Sequence, residues 1–210
     1  SVRHSPTPLP PIRHNLPALL TPLVGRTEEI AAISTLLDNP AIRLVTLTGS
    51  GGVGKTRLSL ALAWQLLEAA PSTFTDGIWF VPLATLNDPR SLYAALIKSL
   101  NLHSSAAPTE LDQLVAALRN KRALLVLDNF EQIVEAATAL SELLIRCPTL
   151  KLLVTSRVVL NVRGEHEFSL APLPVPSLTA LPPITELAEW PSVKLFVQRA
   201  QAVNHTLRLD

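Results

Sequence analysis

One stretch of the chain has the residue types and the spacing needed to bind phosphate groups. It reads Gly49, Ser50, Gly51, Gly52, Val53, Gly54, Lys55 and Thr56, and it fits the pattern G-x-x-x-x-G-K-S/T. Glycines permit a tight turn whose backbone N–H groups approach phosphate oxygens, and a following helix adds unpaired N–H groups. Lys55 can supply a positive charge to the β- and γ-phosphates, and Thr56 a hydroxyl ligand to Mg²⁺. We therefore expect this phosphate loop, residues 49–56, to bind a nucleotide together with Arg57.

A second group of candidate residues follows the apolar run 123–127. Asp128 stands where a strand would end, which suits a carboxylate that holds Mg²⁺ through water; the alternative is a helix cap. Asn129 occupies the position where a second acid would polarise the attacking water, and an amide cannot take a proton. Glu131 can reach that water if the loop curls back, and otherwise it is a solvated acid at a helix start. We predict catalytic roles for Asp128 and Glu131 and expect slow hydrolysis.

A third candidate follows another apolar run, 152–154. Arg157 ends the sequence Thr155-Ser156-Arg157, and its planar guanidinium suits contact with a γ-phosphate better than a lysine would. The alternative is a surface arginine that only caps the end of a strand.

Short aliphatic runs alternate with helical patterns and must position these side chains. Strands are predicted at 43–47, 78–81, 123–127, 152–155 and 167–170, and helices at 55–69, 90–100, 109–119, 132–146 and 192–203. Thr109 and Asp112 are typical of a capping box. Continuous apolar strands between helices indicate an α/β fold with a parallel sheet covered on both faces, in which ligands bind at the carboxyl ends of the strands.

Composition excludes several classes of protein. Apolar residues make up 48% of the 210 residues, which is enough for a sizeable core and excludes full disorder. The 18 Lys and Arg balance 17 Asp and Glu, so we expect no direct nucleic-acid binding by this segment. The single cysteine, Cys147, excludes an internal disulfide. No apolar run reaches the ~18 residues of a membrane span and no signal peptide is recognised, which predicts a cytoplasmic location.

Proline marks the predicted boundaries of the domain. Six of the 18 prolines lie in residues 1–22 and five lie in 171–183, where helix and central strand are both disfavoured. We predict a linker from an upstream domain at 1–22, a nucleotide-binding core at 23–170, a second linker at 171–190 and the start of a helical lid at 191–210. Because the chain starts with Ser and lacks methionine, we expect it to be part of a longer protein.

Four motifs in order resemble one known family. LVGRTEE at 23–29, TGSGGVGKT, LLVLDNFE and LLVTSR are similar to motifs of the signal-transduction ATPases with numerous domains (STAND), which include the NB-ARC proteins of apoptosis and plant immunity. The sequence around these motifs is most similar to that of bacterial regulators of that group, and the resemblance covers roughly residues 20–203. It implies a P-loop NTPase fold with a five-stranded parallel sheet in the order 5-1-4-3-2 between helices.

The resemblance also implies roles for individual residues. Val24, Gly25 and Arg26 match the segment that packs against the adenine and the ribose. Lys55, Thr56 and Asp128 match the phosphate and Mg²⁺ residues, and Arg157 matches the sensor arginine beside the γ-phosphate. Two departures are Asn129, where NB-ARC proteins often have a second Asp, and the end of the chain at Asp210, before the motifs that usually close over the nucleotide.

The function implied is a switch driven by adenine nucleotides. In the family, ADP holds a closed form, ATP permits opening and self-association, and hydrolysis resets the switch; the partners are other domains of the same chain. A second hypothesis is a scaffold module that holds ADP with negligible turnover, and a weaker third is an AAA+-type motor. A guanine site is disfavoured, because Asn120-Lys121-Arg122-Ala123 has alanine where guanine recognition needs an acid.

Overall fold

A five-stranded parallel sheet organises the chain, as seen in a computed structural model that describes residues 13–69, 73–103, 107–177, 179 and 182–205. The strands are β1 (Leu44–Thr48), β2 (Gly77–Pro82), β3 (Ala123–Asp128), β4 (Lys151–Thr155) and β5 (Glu165–Ser169). Their spatial order is β2-β3-β4-β1-β5, and all four pairings are parallel. The predicted order 5-1-4-3-2 is therefore confirmed.

Helices cover both faces of this sheet. They are α1 (Thr27–Asp38), α2 (Lys55–Ala69), α3 (Leu92–Ser99), α4 (Glu110–Leu118), α5 (Ala137–Arg146), α6 (Ile184–Leu187) and α7 (Pro191–Val203). Successive strand residues point to opposite faces, so Val45 and Leu153 pack with α1 and α2, whereas Leu44 and Leu152 pack with α3, α4 and α5. The result is the predicted three-layer arrangement of helices, sheet and helices.

The predicted helices at 90–100 and 132–146 are wrong at their starts. Pro89–Ser91, Phe130–Gln132 and Val134–Ala136 form short 3₁₀ turns instead. Ile133 has a non-helical backbone, and both Phe130 and Ile133 are buried in the core. Two tight turns bring these apolar side chains inward while the chain turns away from the end of β3. Two helices were not predicted: α1, and the short α6, which lies inside the predicted linker 171–190.

The second half of the predicted linker 1–22 packs against the core. Asn15 forms two hydrogen bonds with the backbone of Phe80, of 2.6 and 2.9 Å, and Ile78 N donates to Arg13 O over 3.1 Å. Leu16 is buried. This segment therefore protects the outer edge of β2. Residues 1–12 of that linker and 206–210 of the predicted lid lie outside the described residues.

Among the described residues, none of the helices combines the length and the apolar composition that crossing a membrane requires.

Candidate nucleotide-binding site

The phosphate loop connects β1 to α2 and depends on glycine at its first position. Gly49 has φ +151°, and a Cβ there would lie 2.7 Å from Leu170 O and 3.1 Å from Val53 Cγ1. Any larger residue would push the loop away from the chain that follows β5. Because α2 begins at Lys55, the loop leads directly into a helix N-terminus, the positive end of the helix dipole.

A cavity of about 240 Å³ lies between this loop and the carboxyl ends of β3 and β4. It is called the loop cavity here, and its lining residues come from the loop and from the two strand ends: Gly51, Gly52, Gly54, Lys55, Thr56, Arg57, Asn129, Glu131, Thr155 and Arg157. The sheet order explains this meeting, because β4 lies between β1 and β3. All three predicted groups of site residues thus contribute to one cavity.

Backbone carbonyl groups of the phosphate loop hold the side chain of Lys55 in place. Its Nζ donates to Gly49 O over 2.8 Å and to Ser50 O over 3.0 Å, and the residue is only 8% exposed. An ammonium group has three donors, so these two bonds fix the charge in place and leave one donor for a ligand in the cavity. Gly49 and Ser50 serve here as acceptors for Lys55, and neither lines the loop cavity.

Three oxygen-bearing side chains converge at the end of β3. Asp128 Oδ1 accepts hydrogen bonds from Thr56 Oγ1 (2.7 Å) and from Thr155 Oγ1 (2.6 Å). Asp128 is 5% exposed and Thr155 is 1% exposed. Mg²⁺ prefers oxygen ligands and usually binds proteins through one or two such groups plus phosphates and water. A hydroxyl beside a buried carboxylate fits that ion.

Thr155 is a residue whose part in the site was not predicted. Its hydroxyl donates to Asp128 and also accepts from Asn129 N over 3.0 Å, so it joins the ends of β3 and β4. In the sequence, Thr155 stands out only as a neighbour of Arg157. A hydroxyl residue at the carboxyl end of a buried strand was the available signal.

Thr155→Val is expected to raise the Mg²⁺ concentration needed for half-maximal nucleotide binding by about 3- to 10-fold, the value of one lost hydrogen bond. Valine keeps the shape of threonine but cannot fix the carboxylate of Asp128. Titration with Mg²⁺ at fixed ATP measures the effect, and Thr155→Ser is the matched control that restores the hydroxyl. Affinity for ADP in excess EDTA should not change. An equal loss with and without Mg²⁺ would show a general packing defect instead.

Asn129 and the turn after it bring Glu131 back toward the loop. Asn129 has φ +63°, a left-handed conformation that asparagine tolerates. The 3₁₀ turn Phe130–Gln132 follows, and Glu131 then lines the loop cavity. Glu131 Oε1 accepts from Asn129 Nδ2 (3.3 Å) and from Arg157 Nε (3.1 Å). The loop after β3 thus curls back, as Glu131 requires if its side chain is to reach the loop cavity.

The second oxygen of Glu131 is unusual. Oε2 is buried and has no hydrogen-bond partner among the described residues. Buried acceptors are nearly always paired, and an unpaired one is costly. A donor supplied by a bound ligand or by water would satisfy it.

Arg157 reaches the loop from the end of β4. A Cβ built on Gly51 would lie 3.8 Å from its Cζ and Nη2 atoms. The side chain is 62% exposed at the mouth of the loop cavity.

A second cavity, of about 440 Å³, adjoins the first and shares Gly52, Gly54 and Arg57 with it. It is called the outer cavity. Its other lining residues come from the segment before α1, the loop, the chain after β5 and α7: Leu23, Val24, Arg26, Val53, Pro172, Leu173, Ser192, Leu195 and Arg199. A largely apolar cavity with a few polar groups beside a phosphate loop suits a nucleoside.

Two predicted nucleotide-binding arginines bind protein groups. Arg26 is 6% exposed and contacts Glu29 Oε1 (2.6 Å), Val53 O (3.3 Å) and Ala171 O (2.8 Å). It therefore joins the start of α1, the phosphate loop and the chain after β5. Arg57 Nη2 donates to the backbone and hydroxyl oxygens of Thr21 and to a neighbouring carbonyl. Both arginines line the outer cavity as parts of its wall.

Gly25 has a structural role in the same wall. Its φ is +66°, and a Cβ there would lie 2.3 Å from Pro191 Cβ, at the first residue of α7. Glycine thus lets the start of α7 approach the segment before α1. Gly25 does not line the outer cavity, whereas its neighbour Val24 does.

A larger cavity, of about 710 Å³, lies elsewhere. It is found near the amino-terminal ends of β2 and β3, and Asp76, Trp79 and Lys121 are among its lining residues. In Asp76, a hydrogen bond from Lys121 holds the pKa of the carboxyl below its usual value. Since parallel sheets bind ligands at the carboxyl ends of their strands, the smaller loop cavity is the better candidate site.

The parallel strand order, the phosphate loop after β1 and the buried acid at the end of β3 define a P-loop NTPase fold. Residues 22–159 match the family described as AAA ATPase domain, and the chain belongs to that family. Cdc6p from Pyrobaculum aerophilum has a similar fold, with a TM-score of 0.53 and 18% identity over 82% of this chain and 48% of that one.

Two curated relatives come from Mycobacterium tuberculosis. One, an uncharacterized protein, is 34% identical over 200 residues, which are 95% of this chain and 46% of the relative. The other, provisionally named an HTH-type transcriptional regulator, is 38% identical over 162 residues, 77% of this chain and 16% of the relative. The chain therefore spans about half the length of the first relative and a smaller part of the second.

Proposed function

We propose that this domain binds ATP and ADP with Mg²⁺, hydrolyses ATP slowly, and serves as a switch within a longer regulatory protein. The observation that carries the proposal is the convergence of Lys55, Thr56 and Glu131 on the loop cavity, with Asp128 hydrogen-bonded to Thr56. A charge for the phosphates, oxygens for Mg²⁺ and an unpaired carboxylate oxygen are the groups that phosphoryl transfer to water needs.

Each residue has a defined task in this mechanism. Lys55 binds the β- and γ-phosphates with the donor that its loop contacts leave available. Thr56 would be a direct ligand of Mg²⁺ and Asp128 would bind it through water; bound Mg²⁺ neutralises charge on the phosphates. Glu131 Oε2 accepts a proton from the attacking water, and Arg157 donates to a γ-phosphate oxygen.

The outer cavity is proposed to hold the adenosine. Val24, Leu173 and Leu195 offer apolar surface to a base and a ribose. Two neighbours support that wall: Gly25 lets the start of α7 approach closely, and the guanidinium of Arg26 donates to Ala171 O in the chain after β5. A helix of the predicted lid, α7, is thus part of the nucleotide site.

Leu195→Gln is expected to weaken ATP and ADP binding by about 3- to 10-fold, since a partly buried leucine loses its apolar contact. Affinity for inorganic tripolyphosphate should stay the same, because that ligand has no base. Calorimetric titration of the three ligands measures both effects. Val203→Gln is the matched control on the same helix, since Val203 is 91% exposed. An equal loss for tripolyphosphate would place the adenosine elsewhere.

The proposed class is a STAND-type switch. Its motifs continue from residue 23 to Arg157 in the expected order, and one relative carries the name of a transcriptional regulator. We propose that residues 1–22 and 171–190 connect the core to neighbouring domains, that 191–210 begin the lid, and that ATP permits self-association. Size-exclusion chromatography with ADP and with ATP tests that last step; a hexamer would instead favour an AAA+-type motor.

A second candidate function is a scaffold that holds ADP without hydrolysis. Asn129 favours it, because an amide stands beside the metal-binding acid and cannot take a proton. Titration with ATP, ADP and GTP, with and without Mg²⁺, tests the binding that both functions require. Single-turnover hydrolysis of radiolabelled ATP then separates them: release of phosphate supports the switch, and its absence supports the scaffold.

A further inference from the structure

The ion pair between Glu131 and Arg157 spans the mouth of the loop cavity. Arg157 Nε lies 3.1 Å from Glu131 Oε1, and the two side chains are 62% and 10% exposed. The carboxylate is fixed, since Asn129 Nδ2 also donates to Oε1. The guanidinium is the mobile partner, because it lies mostly in solvent and is attached through a long side chain.

The same guanidinium lies next to the phosphate loop. Its Cζ and Nη2 atoms are 3.8 Å from the position of a Cβ on Gly51. Arg157 therefore stands between the carboxylate of Glu131 on one side and the phosphate loop on the other. Ion pairs exposed to this degree are weak, whereas charge-assisted bonds from arginine to phosphate are strong.

We propose that Glu131 competes with the γ-phosphate for Arg157, and that this competition sets the preference of the site for tri- over diphosphate. The inference rests on the proposed function and adds a specificity role for the pair. ADP leaves the ion pair intact, because it has no γ-phosphate. ATP must draw Arg157 away from Glu131, which lowers its net affinity and frees the carboxylate for the attacking water.

A double-mutant cycle on binding tests this. The wild-type chain, Glu131→Gln, Arg157→Ala and the double variant are titrated with Mg²⁺–ADP and with a non-hydrolysable ATP analogue. With Arg157 present, Glu131→Gln should raise the affinity ratio of analogue to ADP. That gain should exceed the gain in the Arg157→Ala background by about 2- to 5-fold, the value of an exposed ion pair.

Other outcomes would overturn the inference. An equal gain in both backgrounds would mean that Glu131 only repels the extra phosphate charge. A lower ratio in Glu131→Gln would mean that Glu131 positions Arg157 for the phosphate. A wild-type chain that binds neither ligand would refute the proposed function as well, whereas binding without coupling refutes this inference alone.

Two controls keep the cycle interpretable. Asp76→Asn removes the same charge at the amino-terminal end of β2, away from the loop cavity, and it should leave the ratio unchanged. Melting temperatures establish that each variant is folded, and Glu131→Ala replaces Glu131→Gln if the glutamine variant is unstable.

Discussion

Replacing Lys55 with alanine is expected to lower the affinity for ATP and ADP by about 10- to 100-fold, which corresponds to one or two lost charge-assisted bonds. The amine is held by Gly49 O and Ser50 O, so its charge is fixed at the loop before a ligand arrives. A fixed charge binds phosphate without a further entropic cost of ordering the side chain. Isothermal titration calorimetry with each nucleotide measures the loss.

The matched control for this prediction is Lys98→Ala, which removes an exposed lysine from α3. It should leave both affinities within about 2-fold, because a distant surface charge is screened by salt. Melting temperatures of both variants establish whether the fold is kept. Equal nucleotide affinity in Lys55→Ala and in the wild-type chain would remove the phosphate loop from the proposed function.

Much of the fold was predictable because its signals are local. The helix 55–69 was predicted with the bounds that the structure shows, since its Leu- and Ala-rich sequence runs without interruption from the phosphate loop. Residues 123–127 of β3 are all apolar and the whole strand is buried, which is typical of a central strand of a parallel sheet. The capping contact of Thr109 with Asp112 N, of 3.1 Å, also follows from two residue types at a fixed spacing.

The errors in the fold arise where distant residues decide the local structure. Asn15 lies in a proline-rich stretch that predicted a linker, yet its amide pairs with the backbone of Phe80 along the edge of β2. No local pattern shows that an edge strand needs a cover. The helix predicted from 132 fails for a similar reason, because burial of Phe130 and Ile133 favours two short turns over helical propensity.

In the candidate site, too, local motifs predict some positions, whereas contacts between distant residues decide others. The positions of Lys55, Thr56 and Asp128 follow from motifs, and the structure places all three together. The surroundings of Arg26 do not follow from its motif, since its partner Ala171 is 145 residues away. Whether Glu131 faced the cavity depended on the left-handed backbone of Asn129, which a residue type permits but does not require.

The ends of β3 and β4 act as one unit in this arrangement. Thr155 fixes Asp128 and the backbone of Asn129, and Arg157 contacts Glu131. Each group from one strand is thus positioned by a group from the other. Because β4 also lies next to β1, a change at the phosphate loop can reach both ends directly. The proposed switch would require such a link between the phosphates and the rest of the domain.

Glu131→Gln is expected to reduce single-turnover ATP hydrolysis by about 100-fold or more, the range for loss of a general base. Glutamine keeps the size of the side chain and can still bond Asn129, but it cannot take a proton from water. The unpaired Oε2 is the atom expected to do so, since it is buried and faces no other donor within the described residues. Affinity for ATP should not fall, which separates a loss of chemistry from a loss of binding.

Glu135→Gln is the matched control, because Glu135 lies four residues further on and is exposed. It should hydrolyse ATP at the rate of the wild-type chain. If Glu131→Gln also keeps that rate, the water is activated by another group and Glu131 serves only as a partner of Arg157. If the wild-type chain itself releases no phosphate while binding ATP, the domain is a scaffold for ADP. The reason would be that the amide of Asn129 stands where an acid would be needed for hydrolysis. Phosphate release by the wild-type chain therefore decides between the proposed switch and the scaffold, and its rate relative to Glu131→Gln decides whether Glu131 is the base.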